Sequence, residues 1–359
     1  MEETMDLGLT LPTKARSWEV VKRAEELGYT HAWFYDTELL NAEMFAAMGA
    51  AAMKTSRIKL CTGVLIPSNR IAPVAASGLA TLNALAPGRI VFGVSTGFTG
   101  RRTLGLRPIT LARLERYARV VEGLLKGDTV EWSEEGGAHK IKFLNPELEL
   151  INIKDPVPMF LSAFGPKARR LTAKLGANWI GGATHPDGEK ADIADMRTAW
   201  KEHGRRVEDL YSVIGAGGCV LDEGESADSP RVRTQAGPFA AIVFHNLVER
   251  DEFGSIFPAG PEFPFQTELN AYREVYMRYQ PPDARYMSNH RGHLMFVRPE
   301  ETHLTGDVIR GLTLTGTRAE LVERITGIKQ AGYNQIQFHT VPGQEDQMLE
   351  RWADVMADV

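Results

Sequence analysis

The fold is decided between Ile58 and Val94, in three successive segments: IKLCTGV at 58–64, VAASGLATLNAL at 74–85 and RIVFGV at 89–94. The first and third are short apolar runs, the form taken by strands buried on both faces. The middle one is long enough for a helix. Strand, helix and strand in this order make one unit of a parallel sheet. Toward the N-terminus, Leu7–Leu11 reads as a strand stopped by Pro12. Ser17–Leu27 reads as a helix with Val20, Val21, Ala24 and Leu27 on one face and Gly28 as its cap. His31–Tyr35 is a strand and Ala46–Met53 a helix. Toward the C-terminus come a helix at Leu111–Leu125, a strand at Pro158–Ala163 and a helix at Lys167–Leu175. A strand at Trp179-Ile180, a helix at Lys190–His203 and a strand at Tyr211–Val220 follow. A helix at Arg318–Ala331 and a strand at Gln335–His339 close the series.

Eight such strands alternating with helices predict one α/β domain over residues 1–359, a closed (β/α)8 TIM barrel. A doubly wound open sheet is the rival and fits eight regular units less well. Two segments interrupt the repeat. At about 128–156 the alternation Lys140-Ile141-Lys142-Phe143-Leu144 predicts an inserted hairpin strand. At about 226–316, between strand 7 and the last helix, a helix near Phe239–Arg250 is followed by a stretch rich in Pro, Tyr and His from Phe257 to Glu301. An insertion this long predicts a functional lid. Its tyrosines, Tyr272, Tyr276, Tyr279 and Tyr286, either wall a substrate or form a packed helix face.

Composition narrows the class. Apolar residues at 43% and charged residues at 24% suit a globular enzyme with a sizeable core. The 41 basic and 46 acidic residues are mixed along the chain, giving a net charge of −5, so no basic run offers a nucleic-acid footprint. Cys61 and Cys219 lack metal-ligand spacing and read as buried thiols of a reducing compartment. With no signal-like start and no apolar run of about 18 residues, the expectation is a cytoplasmic protein without a membrane partner.

In a parallel barrel, chemistry sits where strands end. After the second strand come Asp36, Thr37 and Glu38, which include two carboxylates suited to donating a proton or bonding a ring. Capping of the next helix is the alternative for Asp36. After the third strand, Gly63 invites close approach of a ligand. The fourth strand runs into Ser95-Thr96-Gly97, whose N–H groups can face an anion. The fifth leads through Ala163-Phe164-Gly165-Pro166-Lys167 into a helix whose N-terminus can hold a phosphate, although Gly-Pro also serves simply to start helices. In the long insertion, His245, His290 and His293 have no acidic or Cys partners at metal spacing, so no metal site is assigned. Hydrogen-bonding histidines are their plain alternative. His339 ends the last strand and either points to the barrel mouth or caps that strand.

Thr62-Gly63-Val64, the run Ala80-Thr81-Leu82-Asn83 through Gly88–Val94, and Ala163–Lys167 occur in the order and spacing of a known family. Together with Ala24–Gly28, Gly316-Thr317 and Val322–Gly332 they resemble the luciferase-like monooxygenase superfamily, in its branch related to F420-dependent methylenetetrahydromethanopterin reductase. That resemblance implies a barrel binding coenzyme F420 or FMN at its open end, with F420 slightly preferred. It implies a non-proline cis peptide at Gly63-Val64 against the cofactor ring, and a phosphate site at Gly165, Pro166 and Lys167 beside Ser95, Thr96 and Gly97. Cofactor contacts are thus expected from Thr62, Gly63, Val64, Ser95, Thr96, Gly97, Ala163, Phe164, Gly165, Pro166 and Lys167. Asp36, Glu38 and His290 are the expected catalytic residues, and His245 and Asn289 the substrate-binding ones. Members with His and Trp after the second strand differ from this chain, which carries Thr37 and Glu38 there, and the proton donor stays open. The expected function is hydride transfer to, or oxygenation of, a small organic substrate by a homodimer. The alternative is a cofactor-free or non-catalytic barrel binding another small ligand.

Overall fold

The computed structural model describes residues 4–133, 137–183, 185–257 and 263–359. Eight strands form the barrel: β1 (Asp6–Leu11), β2 (His31–Phe34), β3 (Lys59–Thr62), β4 (Ile90–Val94), β5 (Met159–Ser162), β6 (Asn178–Gly182), β7 (Ser212–Ala216) and β8 (Gln335–His339). Each pairs in parallel with the next, and β8 pairs with β1 to close the ring. The connecting helices are α1 (Ser17–Glu26), α2 (Met44–Ala52), α3 (Ala72–Leu85), α4 (Leu111–Leu125), α5 (Pro166–Leu175), α6 (Pro186–Glu202), α7 (Arg318–Ala331) and α8 (Glu345–Met356).

Side-chain alternation explains why these strands are apolar throughout. Trp33, Cys61, Val91, Phe160, Ile180 and Val213 form a cluster inside the barrel. Their neighbours Phe34, Leu60, Phe92, Leu161 and Ile214 pack outward into the layer beneath the helices. Trp33 meets Phe160 edge to face at 5.4 Å, so the barrel centre is solid and a ligand has room only above it. Both cysteines are buried free thiols. No helix among the described residues is long and apolar enough to cross a membrane.

The first insertion is a hairpin, Val130–Ser133 paired antiparallel with Ala138–Ile141. It starts earlier than the alternation suggested, and Lys142, Phe143 and Leu144 lie beyond the strand. The second insertion is not a loop but a small helical layer with helices at Pro230–Gln235, Gly237–Val248, Arg250–Phe253, Gln266–Arg278, Arg285–Asn289 and Gly306–Leu312. It has its own apolar cluster around Ala240, Phe244, Leu247, Leu269, Tyr272, Val308 and Ile309. Tyr272 and Tyr276 are buried, so the tyrosine stripe is in part a packed helix face. The predicted seventh strand ends early, at Ala216, and Val220-Leu221 pairs instead with Gly316-Thr317 at the base of the insertion. His339 Nε2 meets the Leu294 carbonyl, and the buried Arg102 reaches Glu249 at 3.5 Å and the Gly254 carbonyl. These contacts fasten the layer over the strand ends.

Candidate active site

A cavity of about 360 Å³ opens above the ends of β2, β3, β4 and β5. Tyr35, Asp36 and Thr37 follow β2, Gly63 and Val64 follow β3, and Ser95, Thr96 and Gly97 follow β4. Ser162, Phe164 and Gly165 lie at the end of β5. The helical layer supplies the opposite wall through Ile242, Asn246, Ile256, His293 and Leu294. A mostly apolar cleft with a few fixed polar groups at this end of a barrel is where a small ligand binds.

The Gly63-Val64 peptide bond is cis. A Cβ on Gly63 would lie 2.7 Å from Trp33 Cβ, so the chain passes too close to β2 for any side chain. Gly97 has φ +80°, and a Cβ there would stand 2.5 Å from Ile66 Cγ2. It turns β4 into a short helix, Phe98–Arg102, whose Thr99 and Gly100 also line the cavity. At Gly165 the reverse holds: a Cβ would meet nothing within 4 Å, and no side chain caps α5. The start of that helix therefore faces open space, with the partial positive charge of its N-terminus uncompensated by its own cap. Arg169 holds the turn by donating to the Phe164 carbonyl at 2.7 Å and pairing with Asp192 and Asp195.

Asp36 lies in the wall, but its carboxylate is engaged. Arg70 Nη1 donates to both oxygens at 2.8 and 2.9 Å, and the Ile66 N–H donates to one at 3.0 Å. It does not cap α2, whose cap is Glu43 accepting from the Ala46 N–H. Glu38 is outside the cavity and exposed, and accepts from Asn69 Nδ2 at 2.7 Å. Of the residues expected to touch a cofactor, Gly63, Val64, Ser95, Thr96, Gly97, Phe164 and Gly165 line the cavity. Thr62 and Ala163 are buried beneath it, and Pro166 and Lys167 lie beyond its edge. The Thr62 hydroxyl donates to the Gly93 carbonyl at 2.6 Å and ties β3 to β4.

The three expected residues of the long insertion do not line the cavity. His245 is buried against Glu301 at 2.6 Å, His290 against Glu249 at 2.9 Å, and Asn289 Oδ1 accepts from the Tyr272 hydroxyl. Their places in the wall are taken by Asn246 and His293. Adjacent residues on a helix point about 100° apart, so His245 and Asn246 face different environments. Tyr35 is another lining residue that sequence reasoning missed. Since His339 Nε2–H donates to the Leu294 carbonyl, His339 Nδ1 accepts from the Tyr35 hydroxyl at 2.8 Å. Strand-end position was the available signal for Tyr35. For Asn246 and His293 the sequence offered only the segment.

Burial dominates the titration of these groups. It holds His245 and His293 well below the usual histidine range, with neighbouring His290, Arg102 and Arg298 acting in the same direction. His303 and His339 are lowered to about 4, also by burial. An unfolded histidine takes up a proton near pH 6.5, whereas these stay neutral until well below it. Below 6.5 the unfolded chain therefore binds more protons, and stability is lost as pH falls toward 4. Each such histidine is expected to cost on the order of 1 kcal/mol per pH unit in that window. Urea denaturation at pH 7.5, 5.5 and 4.5 measures this, and an unchanged unfolding free energy would contradict it.

Residues 4–335 match the luciferase-like monooxygenase family, and the chain belongs to that family. A 5,10-methylenetetrahydromethanopterin reductase from Archaeoglobus fulgidus is 23% identical over 324 residues, 88% of this chain and 86% of that one. Two other curated relatives, matched at 27% and 32% identity, are spanned over only 56% and 50% of their own length. Among solved structures, an F420-dependent secondary alcohol dehydrogenase superposes with a TM-score of 0.70 at 18% identity, covering 99% of both chains. The FMN-bound oxygenating constituent of 3,6-diketocamphane monooxygenase from Pseudomonas putida gives 0.66 at 13% identity, also over 99% of both.

Proposed function

We propose that the protein is an oxidoreductase that binds a deazaflavin or flavin in this cavity, with coenzyme F420 as the preferred cofactor and a small organic molecule as substrate. The observation that carries the reading is the cradle at Gly165, an uncapped helix start with open space that lines the same cavity as the Gly63-Val64 turn. Gly165 and the first turn of α5 would hold the phosphate, and Gly63 and Val64 would lie along the ring. Bound there, F420 would supply hydride exchange, and reduced FMN would supply oxygen activation. The chain's own part is to orient and to exclude water: Ile242, Ile256 and Leu294 roof the cleft, and Asp36 with Arg70 fixes the loop carrying Ile66. This assigns Asp36 to positioning, and leaves Glu38 outside the chemistry.

The cofactor-free alternative is less well supported, because residues 4–335 match a family whose fold is shared by an F420-dependent dehydrogenase and an FMN-bound oxygenase. Homodimer formation remains part of the proposal, with light scattering as its check, and so does a cytoplasmic location.

The test is titration with F420 and FMN, followed by fluorescence. F420 is expected to bind more tightly than FMN. Replacing Gly165 by Val, whose Cβ would meet nothing within 4 Å, is expected to weaken binding at least about tenfold, or 1.4 kcal/mol. Equal affinity of Gly165→Val and wild type would move the phosphate elsewhere. No binding of either cofactor would remove the reading altogether.

A further inference from the structure

Several polar side chains that line the cavity are bonded so that an oxygen, not a hydrogen, is left over. Asn246 is 3% exposed and stands in the helix Gly237–Val248. Its Nδ2 donates at 2.8 Å to the carbonyl of Ile242, one turn back in the same helix, and both residues line the cavity. A backbone carbonyl only accepts, so this bond fixes which end of the carboxamide is nitrogen and which is oxygen. Asn246 Oδ1 is buried and has no partner among the described residues. Asn41, in the loop after β2, repeats the arrangement in the same cavity. Its Nδ2 reaches the Thr37 carbonyl four residues back at 3.5 Å, and its Oδ1 is unpaired among the described residues.

Two hydroxyls of the lining follow the same rule. Ser95 Oγ gives its hydrogen to the Ser162 carbonyl at 2.9 Å, and the Tyr35 hydroxyl gives its hydrogen to His339 Nδ1. Each of these oxygens keeps its lone pairs and has no hydrogen left to offer. Among the described residues no Lys or Arg lines the cavity, so no flexible cation stands ready to turn to the unpaired oxygens. A buried acceptor without a partner is destabilising and rare in folded proteins. The missing hydrogens have to be brought by what enters the cavity.

Resting on the function proposed above, we infer that Asn246 is a specificity-determining residue, whose Oδ1 accepts from a neutral amide N–H or hydroxyl of the substrate. Ile242, Ile256 and Leu294 belong to the same wall and suit an apolar body carrying that donor. Asn41, Ser95 and Tyr35 supply acceptors for a second donor. An ether or a tertiary amide of the same shape brings only lone pairs, and would bury Asn246 Oδ1 still unpaired. Discrimination then comes from the unsatisfied group as much as from the bond gained.

The test pairs molecules that differ in the donor alone: cyclohexanecarboxamide with its N,N-dimethyl amide, and cyclohexanol with methoxycyclohexane. Calorimetric titration of the wild-type protein without cofactor is expected to favour the donor member of at least one pair by about tenfold. The pair with the larger ratio tells amide from hydroxyl. A crystal structure of the wild type with the preferred probe is expected to place its donor within about 3.2 Å of Asn246 Oδ1. Asn246→Leu has a similar shape and no acceptor, and is expected to erase the ratio while the affinity for the donor-free member stays unchanged. The wild-type titration and crystal need no variant, so they decide the matter even where Asn246→Leu does not fold. Equal or absent binding within both pairs overturns the inference. So does a probe bound with water alone on Oδ1, or an undiminished ratio in folded Asn246→Leu. Protein that prefers the donors yet binds neither F420 nor FMN overturns the proposed function instead, and leaves the role of Asn246 standing.

Discussion

Glu301→Ala is expected to destabilise the helical layer by about 3–5 kcal/mol, because it strands the Arg298 guanidinium in the interior. Arg298 is almost fully buried, and Glu301 is its one buried carboxylate partner among the described residues, since Glu300, 3.3 Å from Nε, is more than a third exposed. The same arginine donates to the Asn289 and Arg291 carbonyls and to the Tyr272 hydroxyl, so it joins the turn at 289–291 to the helix Gln266–Arg278. Losing its counter-charge loosens the turn that carries His293 toward the cavity. Urea unfolding is expected to show the loss as a lower midpoint or as an early transition of the insertion alone, with the barrel transition retained. Replacing Arg298 and Glu301 together by Met and Leu is expected to recover much of the stability, because an apolar pair leaves no unpaired charge. A Glu301→Ala protein as stable as wild type would show that Arg298 is satisfied by carbonyls alone.

Arg70→Met is expected to cost a similar amount, about 3–5 kcal/mol, and to weaken cofactor binding as well. Asp36 is 4% exposed and would keep a single hydrogen bond, from the Ile66 N–H, in place of three. Arg70 also pairs with Glu43, the cap of α2, and its carbonyl accepts from Tyr117 of α4 at 2.9 Å. The loop after β3 is therefore held from three sides, and the cis turn at Gly63-Val64 begins it. Cofactor titration of Arg70→Met is expected to show affinity falling at least about tenfold. Asp36→Asn separates positioning from catalysis: it keeps an acceptor for Ile66 but removes the charge. A variant that binds cofactor weakly yet turns over normally at saturation marks Asp36 as a positioning residue. A variant that binds normally and loses turnover would return it to the chemistry.

Much of the barrel was legible because it rests on local rules. The helices predicted at Leu111–Leu125 and Arg318–Ala331 have those same bounds in the structure. Both begin at a Thr whose side chain caps the helix, and α7 adds a capping box with Glu320. The β3 to β5 side of the cavity was legible for a related reason. Gly63, Gly97 and Gly165 each mark a place where the backbone turns sharply or borders the cavity, and strand ends are fixed by the barrel itself. The long insertion resisted because its pattern is that of a second small core, and nothing in the spacing of Tyr272, His245 or His290 says which side of each helix meets the barrel.

By itself, then, the sequence determined that this is a closed parallel barrel and pointed to the strand ends above β2 to β5 as the end to examine for a site, since strand period, helix caps and glycine turns are properties of neighbouring residues. Only the tertiary structure decided which polar side chains of the insertion reach that end. His245, Asn289 and His290 turn inward to Glu301, Tyr272 and Glu249, and Asn246 and His293 turn to the cavity. The choice rests on pairing buried carboxylates with histidines 41 and 56 residues away in the chain, and the cost of leaving such a group without a partner is set by which groups meet after folding.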